Sequence, residues 1–239
     1  MTWSIVAFEP ASRTFAVCVA TRSLAVGASC PFLRSGVGAV STQSLTNRYL
    51  GPAILDALEE GLMPDAALAK ALQQDAGKDL RQVHVVDAQG RTAAWTGNHC
   101  VSWCGSRSAP GVSVAGNMLA AERVIDATLE TFIGAPDLDM ADRLLAAMDA
   151  GEAQGGDRRG RQSAAMQIIT SEDFPDLDLR VDDHAHPLAE LRRLVGLWRA
   201  GRAERKSWAP TKANPSGSAD LDAIEAQWKA RGLDLRFRR

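Results

Sequence analysis

The sequence is poor in cysteine, has no long apolar run and carries almost no excess charge. Four cysteines (Cys18, Cys30, Cys100 and Cys104) in 239 residues are too few for a disulfide scaffold. Free thiols and a reducing, cytoplasmic setting are therefore expected. No apolar stretch reaches the roughly 18 residues that would suggest a membrane span, so no membrane partner is expected. The formal net charge of −2 lacks the basic excess usual in a nucleic-acid binder. The opening Met1-Thr2-Trp3-Ser4-Ile5-Val6 has neither a basic n-region nor a small-residue cleavage site, which predicts no signal peptide.

The 46% apolar and 23% charged fractions are those of an ordinary globular protein, long enough for one large core or two small ones. Charge is unevenly spread. From Arg199 onward ten Lys/Arg oppose five Asp/Glu, a net of +5, which leaves −7 on the first 198 residues. Residues 1–200 are read as one domain and 201–239 as a basic extension with one short helix, a solvated segment that packs on its own subunit or on a neighbour.

Residues 3–8 and 14–20 read as strands joined by a turn at Pro10. In the second, Phe15, Val17 and Val19 point one way and Ala16, Cys18 and Ala20 the other. A strand apolar on both faces is buried on both faces. Gly36–Gln43 reads as a third strand, where glycine suggests close approach of a ligand or another backbone. Helices follow over 52–60 and 64–74, each with proline near its start and with Gly61 placed to end the first. A hairpin over 82–96, a short strand over 112–115 and two amphipathic helices within 124–148 come next. Residues 151–160 read as a glycine-rich loop, 163–169 and 178–181 as strands, 187–198 as a helix, 201–217 as a polar linker and 219–231 as a last helix. No internal repeat is present. Helix pairs between runs of strands do not suit a βαβ repeat. They fit an α+β fold, a four-layer αββα sandwich of two antiparallel sheets.

Several blocks occur in order: Thr2-Trp3-Ser4-Ile5-Val6, Val19-Ala20-Thr21-Arg22-Ser23, Gly36-Val37-Gly38-Ala39-Val40-Ser41-Thr42-Gln43, Asp87-Ala88-Gln89-Gly90-Arg91, Gly116-Asn117-Met118-Leu119, Gly155-Gly156-Asp157-Arg158-Arg159-Gly160, Gln162-Ser163-Ala164-Ala165 and Leu179-Arg180-Val181-Asp182-Asp183-His184. Each is weak alone; together, over residues 2 to about 198, they resemble the domain of unknown function 1028 family, placed in the Ntn-hydrolase superfamily. The resemblance implies that Thr2, once Met1 is removed, supplies both a nucleophilic hydroxyl and a free α-amine. Such an amine titrates near ~7.7–8.0 and can act as the base. The plain alternative is that Thr2 only begins a strand behind a retained Met1.

In proteasome-like members an acid-bearing Gly-Asp-x-Arg run follows the second strand; this chain has Ala20-Thr21-Arg22-Ser23. The lysine common near the third strand is also missing, with Arg34 the nearest cation. An arginine there tunes a nucleophile electrostatically but does not shuttle protons. By the same resemblance, Asn117 and Asp157 would orient the terminal amine and Ser163 would help to hold it, with Arg22 nearby. The plain reading of Asp157-Arg158-Arg159 is a solvated loop with local ion pairs. Arg34, Gln43, Asn47 and Asp182 are candidates for binding substrate, and backbone amides between Gly38 and Gln43 for an oxyanion hole.

The candidate metal ligands are His99, Cys100 and Cys104, and Asp182, Asp183, His184 and His186. The first set lacks a second paired motif, and the second suits a helix N-terminus, so no metal and no cofactor are expected. The resulting expectation is an amidohydrolase of a small amide or peptide-like substrate, assembled as a homo-oligomer. The competing expectation is a non-catalytic small-molecule-binding or assembly protein that keeps the fold.

Overall fold

In a computed structural model, the structure describes residues 2–238, apart from the side chains of 203–206. Two compact units are separable, Met1–Arg193 and Leu194–Arg239. Among the described residues no helix is long and apolar enough to cross a membrane.

The first unit is built on two antiparallel sheets. Sheet A contains β1 (Thr2–Glu9), β2 (Thr14–Thr21), β7 (Gly105–Ala109), β8 (Val112–Asn117), β9 (Ser163–Ile169) and β10 (Leu177–Val181), in the order β10-β9-β2-β1-β8-β7. Sheet B contains β3 (Pro31–Arg34), β4 (Gly38–Ser44), β5 (Arg81–Asp87) and β6 (Thr92–Thr96), in the order β3-β4-β5-β6. β1 and β8 of sheet A face β4 and β5 of sheet B. Helices α1 (Leu50–Glu59) and α2 (Pro64–Gln73) cover the outer face of sheet B, and α3 (Arg123–Gly134) and α4 (Met140–Ala153) that of sheet A. The expected mixed α+β layered sandwich of two antiparallel sheets is therefore the observed architecture.

The strand period explains the layers. On β2, Phe15 and Val17 enter the inter-sheet core with Val6, Phe8, Ala39, Val86 and Ile169, while Val19 packs with Val26, Cys30 and Ala165. Alternate residues of a strand face opposite sides, so Ala16, Cys18 and Ala20, all buried, face the helical layer. On sheet B, Val40, Val83 and Val85 pack outward against Ile54, Leu55, Leu68 and Leu72. Burying a side chain of this size stabilises by roughly 1.5–3 kcal/mol. Helix α1 ends where Gly61, at φ +92, allows Leu62 N–H to reach Ala57 O (3.0 Å) and Gly61 N–H to reach Leu58 O (2.9 Å). That is the Schellman closure a glycine past a helix end permits.

The structure differs from local expectation at the start of one strand, at two edge strands and at the end of the fifth helix. The strand expected from Gly36 begins at Gly38, as β4, because Gly36 lies in the turn that Val37 N–H closes on Arg34 O. The close approach is to a backbone: a Cβ on Gly38 would lie 2.7 Å from Val86 O. β3 and β7 are not expected from the sequence; both are short edge strands that tertiary pairing with β4 and β8 recruits. β7 (Gly-Ser-Arg-Ser-Ala) has none of the branched or aromatic residues that mark strands. Helix α5 (Pro187–Trp208) runs ten residues past Trp198, since Arg, Ala, Glu and Lys sustain a helix and no proline intervenes before Pro210.

The second unit contains the end of α5 and α6 (Leu221–Ala230). Asp220 caps α6 by accepting from Ala223 N–H at 2.9 Å. The rings of Trp228 and Phe237 lie 5.0 Å apart.

Candidate functional site

Thr2, the first residue of β1, is buried, with only 7% of its surface exposed. Its backbone neighbours are Thr21 on β2 and Asn117 on β8, and Thr21 in turn pairs with Ser163 on β9. Asn117, Thr2, Thr21 and Ser163 thus form one polar row across four strands of sheet A. Thr2 Oγ1 donates to Thr21 Oγ1 at 3.1 Å. In sheet B, Gln43, Gln82 and Thr96 make a second row. The two rows are bonded to each other. Gln43 Nε2 donates to Gln82 Oε1 (2.9 Å), Ala115 O (3.2 Å) and Thr2 O (3.4 Å). Asn117 Nδ2 donates to Gln82 Oε1 at 3.0 Å.

Deeper in the same layer, Ser4 Oγ bonds Gln43 Oε1 (2.7 Å) and His84 Nε2 (2.8 Å), and His84 Nδ1 meets Ser113 Oγ (3.1 Å). Gln43 Oε1 only accepts, so Ser4 gives it its proton and must accept from His84 Nε2–H. Ser113 then donates to Nδ1. Burial pushes the His84 pKa down to about 3, against a smaller opposing effect of Ser113. The imidazole is therefore neutral. The inter-sheet interior accordingly grades along β1 from polar (Thr2, Ser4) to apolar (Val6, Phe8). Among the described residues, two buried atoms in it have no hydrogen-bond partner, Ser41 Oγ and Asn117 Oδ1.

The expected glycine-rich loop lies beside the polar row. Asp157 is buried and joins the exits of two strands. Its Oδ2 accepts from Arg22 N–H at 2.7 Å, just past β2, and its backbone bridges Leu119, just past β8. Arg159 satisfies the rest of the carboxylate, with its N–H on Oδ1 at 2.8 Å and Nη2 on Oδ2 at 3.2 Å. Gly156, at φ +48, lets this loop close over Trp3, whose ring a Cβ there would approach to 3.1 Å. Ser163 Oγ holds the same segment, donating to Ser23 O (2.6 Å) and accepting from Val26 N–H (3.1 Å). An acid does stand at the end of β2, contributed by residue 157 rather than by residues 20–23.

The family model for the "Family of unknown function (DUF1028)" matches residues 2–191. The chain belongs to the DUF1028 family. The crystal structure of a DUF1028 protein, SPO2555 from Silicibacter pomeroyi, is similar at 30% identity and TM-score 0.84, over 92% of this chain and 96% of that one. Anbu, an ancestral beta-subunit from Yersinia bercovieri, is similar at 13% identity and TM-score 0.38, over 84% of this chain and 96% of that one. No functionally curated protein matches.

The fold brings some of the expected site residues of this DUF1028 chain together and leaves others apart. Thr2, Gln43 and Asn117 converge, with Asp157, Ser163 and the Arg22 backbone clamping the adjacent segment. The Arg22 side chain turns along the loop to Gln162 Oε1 at 2.6 Å. Arg34 pairs with Gly38 at the far end of sheet B and ion-pairs with Asp56 and Glu59, both at 2.7 Å. Asp182 pairs with Arg180 on the surface at 3.0 Å. Asn47 donates to Asp75 at 2.9 Å, in a cleft of about 370 Å³ shared with Tyr49 and Lys70. Arg81 beside Asp75 holds that carboxyl down to about 2. The β4 amides proposed for an oxyanion hole serve the ladders to β3 and β5, and Thr42 N–H donates to Cys30 O at 3.1 Å.

A cleft of about 690 Å³ opens on the other side of sheet A, with Trp3, Glu152, Arg158 and Arg161 in its wall and Asp157 shared with the clamp. Among the described residues no three His, Cys, Asp or Glu side chains are gathered to hold a metal ion. The four cysteines are free, and burial raises Cys18 to about 12 and Cys30 to about 11, so both are neutral thiols.

Ser4, Gln82, His84 and Ser113 are not among the site residues expected from the sequence. Their signal is present in the sequence as polar residues at inward positions of otherwise apolar strands, Thr2-x-Ser4 on β1 and Gln82-x-His84 on β5. Reading it requires knowing which face is inward.

Proposed function

We propose that this protein is an N-terminal-nucleophile hydrolase of amide (C–N) bonds in a small amide or peptide-like substrate, with Thr2 as nucleophile once Met1 has been removed. The observation that carries this reading is Asn117 Oδ1. It is a fully buried acceptor without a partner, on the residue directly across the strand pair from Thr2. A buried acceptor left unpaired costs about 1–3 kcal/mol, and the α-amine of a Met-free Thr2 would satisfy it.

In the chemistry this supports, Thr2 Oγ1 attacks the acyl carbon while the α-amine takes the hydroxyl proton. The C–N bond breaks as that proton passes to the leaving amine. Water then cleaves the acyl ester, releasing the acid and restoring the hydroxyl. Asp157 and Ser163 keep the β2 exit, and with it Thr21, in register beside the nucleophile.

The test is intact mass followed by a β-lactone probe. The expected result is loss of Met1 and a single acyl adduct on Thr2 that Thr2→Ala abolishes. Retention of Met1 in the native protein, or an adduct that persists in Thr2→Ala, would sink the reading in favour of a non-catalytic binding or assembly role.

A further inference from the structure

The hydrogen-bond polarity of the buried amides is fixed by backbone carbonyls, and that polarity determines what Asn117 offers. Gln43 Nε2 faces Ala115 O and Thr2 O, so its NH2 cannot be exchanged with its oxygen without setting carbonyl against carbonyl. Gln82 Nε2 faces Gly116 O (2.8 Å), Gly105 O (3.2 Å) and Thr96 Oγ1 (2.9 Å), which fixes it in the same way. Gln82 Oε1 is therefore an acceptor shared by Gln43 Nε2 and Asn117 Nδ2. With its nitrogen held there, Asn117 has only its oxygen left to present.

We infer that Gln82 is a positioning residue for the Thr2 site. By binding Asn117 Nδ2 it prevents the amide from flipping, so that Oδ1 rather than NH2 is available to the terminal ammonium. The inference rests on the Thr2 reading above and adds to it a residue in sheet B, outside the strand row that contains the nucleophile. A bond from a neutral acceptor to the ammonium favours the charged form; an NH2 group in its place would disfavour it. Gln82 thus acts on the α-amine through Asn117 without touching it.

The experiment is an NMR titration of the α-amine in protein labelled with 15N-threonine, with Met1 loss checked by mass. Asn117→Ala is expected to lower the amine pKa by roughly one unit, the loss of about one charge-assisted hydrogen bond. Gln82→Met is expected to reproduce most of that shift. A shift in Asn117→Ala with none in Gln82→Met overturns the role of Gln82 and leaves the Thr2 reading standing. No shift in either variant overturns the inference, and retention of Met1 overturns both it and the Thr2 reading. Should Gln82→Met fail to fold, NOEs in the native protein decide. Contacts from the Asn117 side-chain NH2 to Gln82 support the assignment, and contacts to Thr2 overturn it.

Discussion

The hydroxyls of Thr2 and Thr21 meet at 3.1 Å across β1 and β2, in the row that Asn117 and Ser163 complete. Thr21→Val keeps the shape and removes the partner. A hydrogen bond of this kind is worth about 1 kcal/mol, so acylation of Thr2 by a β-lactone is expected to slow about five-fold while the melting temperature falls by only about 2–4 °C. An unchanged labelling rate would show that Thr21 does not orient the nucleophile.

Asp157 and Ser163 hold one segment by different atoms. Asp157→Ala removes the acceptor of Arg22 N–H, and Ser163→Ala orphans Val26 N–H and Ser23 O. Each is expected to cost about 1–3 kcal/mol in urea unfolding. Because both release residues 22–26, the double variant is expected to lose at least about 0.5 kcal/mol less than the sum. Strict additivity would mean that the two anchors act independently.

His84 makes stability depend on pH. Its pKa is about 3 when folded and 6.5 as a free side chain, so between these values the unfolded state binds the extra proton. Stability is fully present above about pH 6.5 and falls as the pH drops toward 3, by up to about 1.4 kcal/mol per pH unit. His84→Gln has no such group, and its unfolding free energy is expected to fall less steeply between about pH 6 and about pH 4.5. Parallel slopes in the two proteins would contradict a buried neutral imidazole.

Gly51 lies in α1 against the Phe32 ring, and a Cβ there would sit 2.3 Å from ring atoms. Helix propensity favours alanine by up to about 1 kcal/mol, whereas forced repacking costs about 1–3 kcal/mol. The clash prevails, so Gly51→Ala is expected to lower the melting temperature and Phe32→Leu to restore part of it. A rise in the single variant would show that the ring moves aside freely.

Local pattern was enough for most elements. The two-sided apolar β2 announced a strand buried on both faces, and paired amphipathic helices announced outer layers. β3 and β7 escaped because their pairing partners, not their own residues, make them strands. Arg34 is near β4 in sequence, but it lies at the Gly38 end of that strand, whereas Gln43 reaches Thr2 from the other end. Along a strand, about 3.3 Å per residue separates such positions even when they are close in number.

By itself the sequence determined the composition, the order of elements and the family blocks that contain Thr2, Asn117, Asp157 and Ser163. The periods of apolar residues are local properties of the chain, so they can be read without coordinates. Only the tertiary structure decided that these four residues share one end of sheet A, that Gln43 and Gln82 face them, and that Asn117 is left with an unpaired oxygen. Those facts depend on strand register and sheet stacking, which bring together groups as far apart as residues 2 and 163. No local pattern encodes which of a buried residue's atoms will find a partner.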